Sequence, residues 1–258
     1  MSIETPQENY LSALGEGLIK PSDAGNRFML LLLGRPFSGK STAAATFPNP
    51  LFIDFDHKAP SGANTLPFWD DEFCDKFKPR LNKNLPPNRR DALISFLEKN
   101  LAKIPKEVTI VVDSGTMIEQ AFHYQTETVE PVPMSPKTNK PDGFYVWKMK
   151  LPYFGGLLGL LKTHPGNVIY IMHEQPERNE EGMETGRIKP LMSGSFVDSI
   201  ASHFTLVFRA RVDVKNQIDG SPYVWDVVPN TVYECNNTLG IKEKTIKASY
   251  ESLKKYIK

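Results

Sequence analysis

Gly34-Arg35-Pro36-Phe37-Ser38-Gly39-Lys40-Ser41-Thr42 decides how this chain is read. It matches G-x-x-x-x-G-K-[ST] and follows the apolar run Phe28-Met29-Leu30-Leu31-Leu32-Leu33, a buried strand by its pattern. A phosphate chain is wrapped by consecutive backbone N–H groups, so Gly34 and Gly39 fall where a side chain would block close approach. Lys40 would reach the β- and γ-phosphates of ATP as a point charge, and Ser41 would offer its hydroxyl to Mg²⁺. A helix starting near Gly39, with three alanines before Thr46, would turn its positive end to the anion. Strand before and helix after is the context the motif requires; without it the stretch would be a glycine turn.

Three further apolar runs read as buried strands of a parallel sheet, and each ends in polar groups. Leu51-Phe52-Ile53-Asp54-Phe55-Asp56 brings out two carboxylates. Val108 to Val112 ends at Asp113-Ser114, where a carboxylate can hold Mg²⁺ opposite Ser41 or cap the next helix. Asn167 to Met172 ends in His173-Glu174, and a histidine there can sense a γ-phosphate or simply be satisfied at a strand end. Ligands of open α/β sheets sit at the C-terminal ends of strands, so these groups converge on the phosphate side.

The 258 residues carry a net charge of +1, with 40% hydrophobic and 24% charged residues, so the chain reads as globular and any nucleic-acid surface must be local. Cys74 and Cys235 are too few for a disulfide scaffold or a cysteine zinc site and read as reduced thiols. The start lacks a basic-then-apolar signal pattern and no apolar run nears 18 residues, so the expectation is a cytosolic protein without membrane contact.

Between these landmarks the pattern is coarser. Residues 1 to about 25 read as an arm or short helix anchored by Tyr10, Leu11, Leu14, Leu18 and Ile19. Residues 59 to 90 look irregular, with acids first and then Lys76, Lys78, Arg80, Lys83, Arg89 and Arg90, either a solvated face or a phosphate-binding patch. An amphipathic helix is expected over 90 to 104 and a long loop over 123 to 143. Phe144, Tyr145, Trp147, Lys148 and Lys150 could stack on bases and neutralise phosphates, or could be the core face of the helix running to Lys162. Residues 175 to 188 read as an acidic loop, 204 to 212 as a strand, and 223 to 228 with 231 to 235 as a hairpin over Pro229-Asn230. The end, 242 to 258, reads as a helix with six lysines and two glutamates.

In their order these motifs resemble a RecA-type recombinase core, particularly the small RecA-like ATPases of phages that serve single-strand annealing. The resemblance spans roughly residues 26 to 240 and rests on the phosphate loop, Phe52 to Ala59, Val112-Asp113-Ser114 and Ile169 to His173. It implies that Asp56 stands where the family keeps the glutamate orienting the attacking water, that Asp113 belongs to the metal shell, and that His173 senses the γ-phosphate. It further implies single-stranded DNA as partner, assembly into a ring or filament, and the cytoplasm of a host cell if the protein is phage-encoded. Two departures stand out. Asp56 is one methylene shorter than glutamate, and Cys235-Asn236-Asn237-Thr238-Leu239-Gly240 lacks both cations of the family's Lys-Asn-Arg-Phe-Gly-like stretch unless Lys242, Lys244 or Arg211 replaces them.

The expectation is therefore an α/β P-loop NTPase: a RecA-like core with a mainly parallel sheet of about five strands, flanking helices and a C-terminal β-hairpin. It would bind Mg–ATP through Gly34 to Thr42 and hydrolyse it slowly while acting on single-stranded DNA. The rivals are a nucleotide-gated binding module or assembly factor that does not touch DNA, and a phosphotransferase using the same loop.

Overall fold

The computed structural model describes residues 27–80, 82, 84–130, 132–140, 142 and 144–257. The expected N-terminal arm and Lys83 of the basic run lie outside them.

Strand β1 (Met29–Gly34) is buried along its whole length because it lies in the middle of a sheet covered on both faces. Met29, Leu31 and Leu33 enter one core, and Phe28, Leu30 and Leu32 enter the other. Strands β2 (Pro50–Asp54), β4 (Thr109–Asp113) and β5 (Val168–Arg178) divide their apolar residues in the same alternating way, which is why each reads as a continuous apolar run. With β3 (Asn64–Pro67) at one edge and β7 (Leu206–Val212) beside β1, the parallel strands run in the order β7-β1-β5-β4-β2-β3. The parallel, helix-flanked sheet expected from the sequence is present.

The helices are α1 (Lys40–Ala44), α2 (Asp71–Asp75), α3 (Arg89–Asn100), α4 (Gly115–Tyr124), α5 (Tyr145–Leu161), α6 (Phe196–Ser199) and α7 (Tyr250–Lys254). Helix α5 runs through Pro152 as expected. Inside it Val146 and Lys150 face the core while Trp147 and Lys148, and Phe144 just before it, are exposed, so Lys150 is not free to neutralise a phosphate. Its ammonium pairs with Glu119 of α4 and the Ser193 carbonyl.

Several sequence expectations need correction. The sheet has ten strands among the described residues rather than about five: β3, short and ending in proline, adds a parallel edge inside the stretch read as irregular, and four further strands add antiparallel pairings. The acidic loop after His173 is a hairpin: β5 continues to Arg178 and pairs antiparallel with β6 (Glu184–Pro190). Its exposed, charged strands carry no apolar alternation. The 223 to 235 hairpin is absent: β8 (Tyr223–Asp226) instead lies between β7 and β10 (Thr245–Lys247), antiparallel to both, and the short β9 (Asn236–Asn237) pairs with β7. The lysine-rich end is thus strand β10 followed by the short α7, not one helix, because Ile246 is drawn into the core under Trp225 and Val227.

The basic run is largely neutralised by its surroundings. Arg80 pairs with Asp75 and Asp71, Arg89 with Asp71, Arg90 with Asp91 and Glu130, and Lys78 with Asp91. Cys74 is buried and Cys235 half-buried, both unpaired thiols whose pKa burial pushes up to about 12. No helix among the described residues is long and apolar enough to cross a membrane.

Candidate functional site

The registers of the sheet bring the expected polar groups together. Gly34 lies opposite His173 in the β1–β5 pair, and Asp54 opposite Asp113 in the β2–β4 pair, so the chain segments leaving these strands emerge side by side. Between them is a cavity of about 400 Å³ lined by Pro36 to Thr42, Asp56, Lys58, Asp113, His173 and Tyr223. Lys40, Ser41, Asp56, Asp113 and His173 all reach it. Gly34 and Arg35 do not: Gly34 closes against the sheet, and Arg35 turns away to Glu174 at 3.6 Å.

Both loop glycines are required by their neighbours. A Cβ on Gly34 would come 2.5 Å from the Ala210 carbonyl oxygen of β7. Gly39 has φ +79°, and a Cβ there would come 2.6 Å from the Tyr223 ring. Phe37 stands at the apex of the loop, 95% exposed. Helix α1 starts right after Gly39, as expected, and its first residues Lys40, Ser41 and Thr42 line the cavity.

The Lys40 ammonium donates to the carbonyls of Gly34 at 2.9 Å and Arg35 at 2.8 Å. Burial pulls its pKa down to about 8, with Asp113, Glu174 and Asp56 acting in the opposite direction. Ser41 Oγ donates to Asp113 Oδ2 at 2.5 Å. Burial lifts the Asp113 carboxyl to about 6; the Asp56 and Asp54 charges push the same way, while the Ser41 hydrogen bond and Lys40 oppose. Capping of α4 falls to Ser114, which accepts from the Met117 amide, so Asp113 is not used as a cap.

Asp56 sits across the cavity. It accepts from Ser114 Oγ at 3.3 and 3.4 Å, with Lys58 Nζ at 3.6 Å and His173 Nε2 at 4.0 Å. The His173 ring is lowered in pKa by burial and by Lys40, its backbone N–H donates to Thr116 Oγ1, and Nδ1 is buried without a partner among the described residues. The second carboxylate of that strand, Asp54, serves structure: it accepts from the amides of Asp56, Lys58 and Ala59 and shapes the turn that aims Asp56.

A hydroxyl and a buried carboxylate in contact form the start of an oxygen donor set that fits a hard cation such as Mg²⁺. Ser38 Oγ, buried in the loop with no partner among the described residues, leaves a further polar atom unsatisfied at the cavity wall. Sequence reasoning missed Lys58, Ser114 and Thr116 as members of this group, although all lie within three residues of an expected one. Tyr223 carried no local signal, because only the antiparallel return of β8 beside β7 brings it to Gly39.

A family model described as an AAA domain matches residues 26–245. No curated protein matches the chain. Among solved structures it is similar to the RadB recombinase, at 12% identity over 77% of this chain and 79% of that one, with a TM-score of 0.35. It is also similar to a KaiC-like protein from the hyperthermophilic archaeon Pyrococcus horikoshii OT3, at 13% identity over 77% of this chain and 76% of that one, with a TM-score of 0.37.

Proposed function

Because this chain belongs to the AAA domain family and carries its phosphate loop at the end of the central strand of a parallel, helix-flanked sheet, we propose that it is a RecA-like ATPase that binds Mg–ATP in the cavity above β1, hydrolyses it slowly, and couples that cycle to single-stranded DNA in phage-type recombination or annealing. The observation that carries the nucleotide reading is the meeting of Lys40, the Ser41–Asp113 pair, Asp56 and His173 around one cavity.

In this reading the loop from Gly34 to Thr42 wraps the phosphates, and Lys40 exchanges its two carbonyl partners for phosphate oxygens. Ser41 and Asp113 would hold Mg²⁺, which supplies charge neutralisation on the β- and γ-phosphates. Asp56, held by Ser114, orients the attacking water and accepts its proton. His173 faces Asp56 and reads the presence of the γ-phosphate. Tyr223 flanks the loop at Gly39 and offers a ring face to the nucleotide base.

Slow turnover follows from the missing cations near 235 to 238. Arg211 does not substitute, since Asp226 and Asp213 hold its guanidinium. Lys58 is the cation that lines the cavity in addition to Lys40.

The coupling reading rests on continuity. Asp113 leads directly into α4, and His173 continues without a break into the β5–β6 hairpin, so ordering either residue around a phosphate alters the segment beyond it. Assembly into a ring or filament is part of the same proposal. The paired state of the 78 to 90 cations argues that DNA contact, where it occurs, lies elsewhere than on that run.

The test is fluorescence anisotropy with labelled single-stranded oligonucleotide, with and without ATP and Mg²⁺, at two salt concentrations. ATP-dependent, salt-sensitive binding supports the proposal. Its absence, with ATP binding intact, leaves a nucleotide-gated module that does not touch DNA.

A further inference from the structure

Resting on the ATPase reading above, we infer that Lys58 supplies the second cation at the γ-phosphate, from the same chain that supplies the phosphate loop. The residues lining the cavity include two lysines, Lys40 and Lys58, against the carboxylates of Asp56 and Asp113. Lys40 is buried at the base of the loop, whereas the Lys58 side chain is 69% exposed on the wall beyond β2. Among the described residues the Lys58 ammonium makes no hydrogen bond; Asp56 Oδ2 lies 3.6 Å away, an ion pair too long to be one. After burial, the Lys58 charge is among those that lower the pKa of Lys40 and of His173, against the pull of nearby carboxylates. It is therefore felt on both flanks of the space between the loop and the end of β5.

The backbone that carries Lys58 is held although its side chain is not. Asp54 accepts from the Lys58 amide at 3.4 Å and the Ala59 amide at 3.2 Å, which closes the turn after β2. His57 has φ +55°, a left-handed conformation that reverses the chain just before Lys58. Its ring stacks on Trp69 at 3.8 Å between centroids. Trp69 is fixed in turn, its amide donating to the Asp54 carbonyl at 3.2 Å and its carbonyl accepting from Arg89 at 2.8 Å. A fixed root with a free ammonium suits a cation that must meet a phosphate as charge develops on it.

The pairing with Asp56 makes the attraction largest in the transition state. The water oxygen bonds to the γ-phosphorus, the bond from phosphorus to the bridging oxygen breaks with its electron pair leaving on ADP, and the water proton passes to Asp56. Neutralising Asp56 removes the counter-charge beside Lys58, whose attraction then falls on the phosphoryl oxygens. The ammonium keeps its own protons throughout. An interaction that strengthens in this way raises turnover instead of affinity.

The test compares the full chain with Lys58→Met and Lys58→Arg in Mg²⁺. Turnover is measured alongside affinity for ADP and for ADP with aluminium fluoride, which mimics the transferring phosphoryl group. Lys58→Met should lose at least about tenfold in turnover and in affinity for the fluoride complex, with ADP affinity unchanged, and Lys58→Arg should keep most of both. Parent turnover per chain should stay constant on dilution, as a cation from the same chain requires. Lys58→Met equal to the parent in turnover and fluoride-complex affinity overturns the assignment. A loss of turnover with fluoride-complex affinity intact overturns it too, since Lys58 would then act only on Asp56. So does a rate per chain that falls with dilution, which places the cation on a second copy. A parent that binds neither ADP nor ATP is a distinct failure, removing the ATPase reading and the role of Lys58 with it.

Discussion

The Ser41 hydroxyl donates to the Asp113 carboxylate at 2.5 Å, joining the first turn of α1 to the end of β4 across 72 positions of sequence. In the absence of a cation this bond takes up part of the charge of a buried carboxylate. Ser41→Ala removes it and should lower unfolding stability by about 1 to 3 kcal/mol in a thermal melt, the cost of leaving a buried charged acceptor short of a donor. If the pair holds Mg²⁺, the same variant should also weaken ATP binding about tenfold in Mg²⁺ and leave binding in EDTA little changed, a free-energy loss near 1.4 kcal/mol.

Asp56 is placed to act on water rather than to hold the nucleotide. Asp56→Asn should therefore reduce ATP turnover about a hundredfold, the lower range for loss of a positioned base, with nucleotide affinity unchanged. Asp56→Glu restores the longer reach of the family pattern and should equal or exceed the parent rate. Steady-state phosphate release alongside equilibrium ATP titration separates the two effects. A parallel fall in affinity would move Asp56 from the water to the phosphates.

Much of this candidate site is legible in the sequence because buried parallel strands write themselves as uninterrupted apolar runs. Leu30 to Leu33 ends at the glycine that opens the phosphate loop, and Phe52-Ile53, Ile110 to Val112 and Val168 to Met172 each end where a polar residue emerges at the carboxyl edge. Parallel pairing then forces Gly34 beside His173 and Asp54 beside Asp113. What stayed hidden depends on partners distant in sequence. Strand β6 is solvent-facing and charged, and only its pairing with β5 makes it a strand. The cations at 78 to 90 look like a free patch until the acids at 71, 75, 91 and 130 fold against them. Lys150 reads as an available charge, yet its helical phase points it inward at Glu119.

That buried pair gives a pH-dependent expectation. Burial alone would push the Glu119 carboxyl up, but hydrogen bonds from His123, Lys150 and Ser193 outweigh it and hold the group at about 2. A carboxyl held below its ordinary 4.5 adds stability that is full above pH 4.5 and lost as pH falls toward 2. Glu119→Gln should cost about 3 kcal/mol near neutrality, since it also leaves the Lys150 ammonium buried without its counter-charge. Urea unfolding of parent and variant across this range should show the gap closing as pH drops from 4.5 to 2. A gap that is constant with pH would show that the Glu119 charge contributes nothing.

The whole functional account depends on the Lys40 ammonium, now resting on the Gly34 and Arg35 carbonyls, being the group that grips a triphosphate. Calorimetric titration of the full chain with ATP in Mg²⁺, against Lys40→Ala with an unchanged melting profile, tests this directly. The account predicts saturable one-site binding by the parent and a loss of at least about tenfold in the variant. Equal affinity in the two proteins, or no binding by the parent, would contradict it.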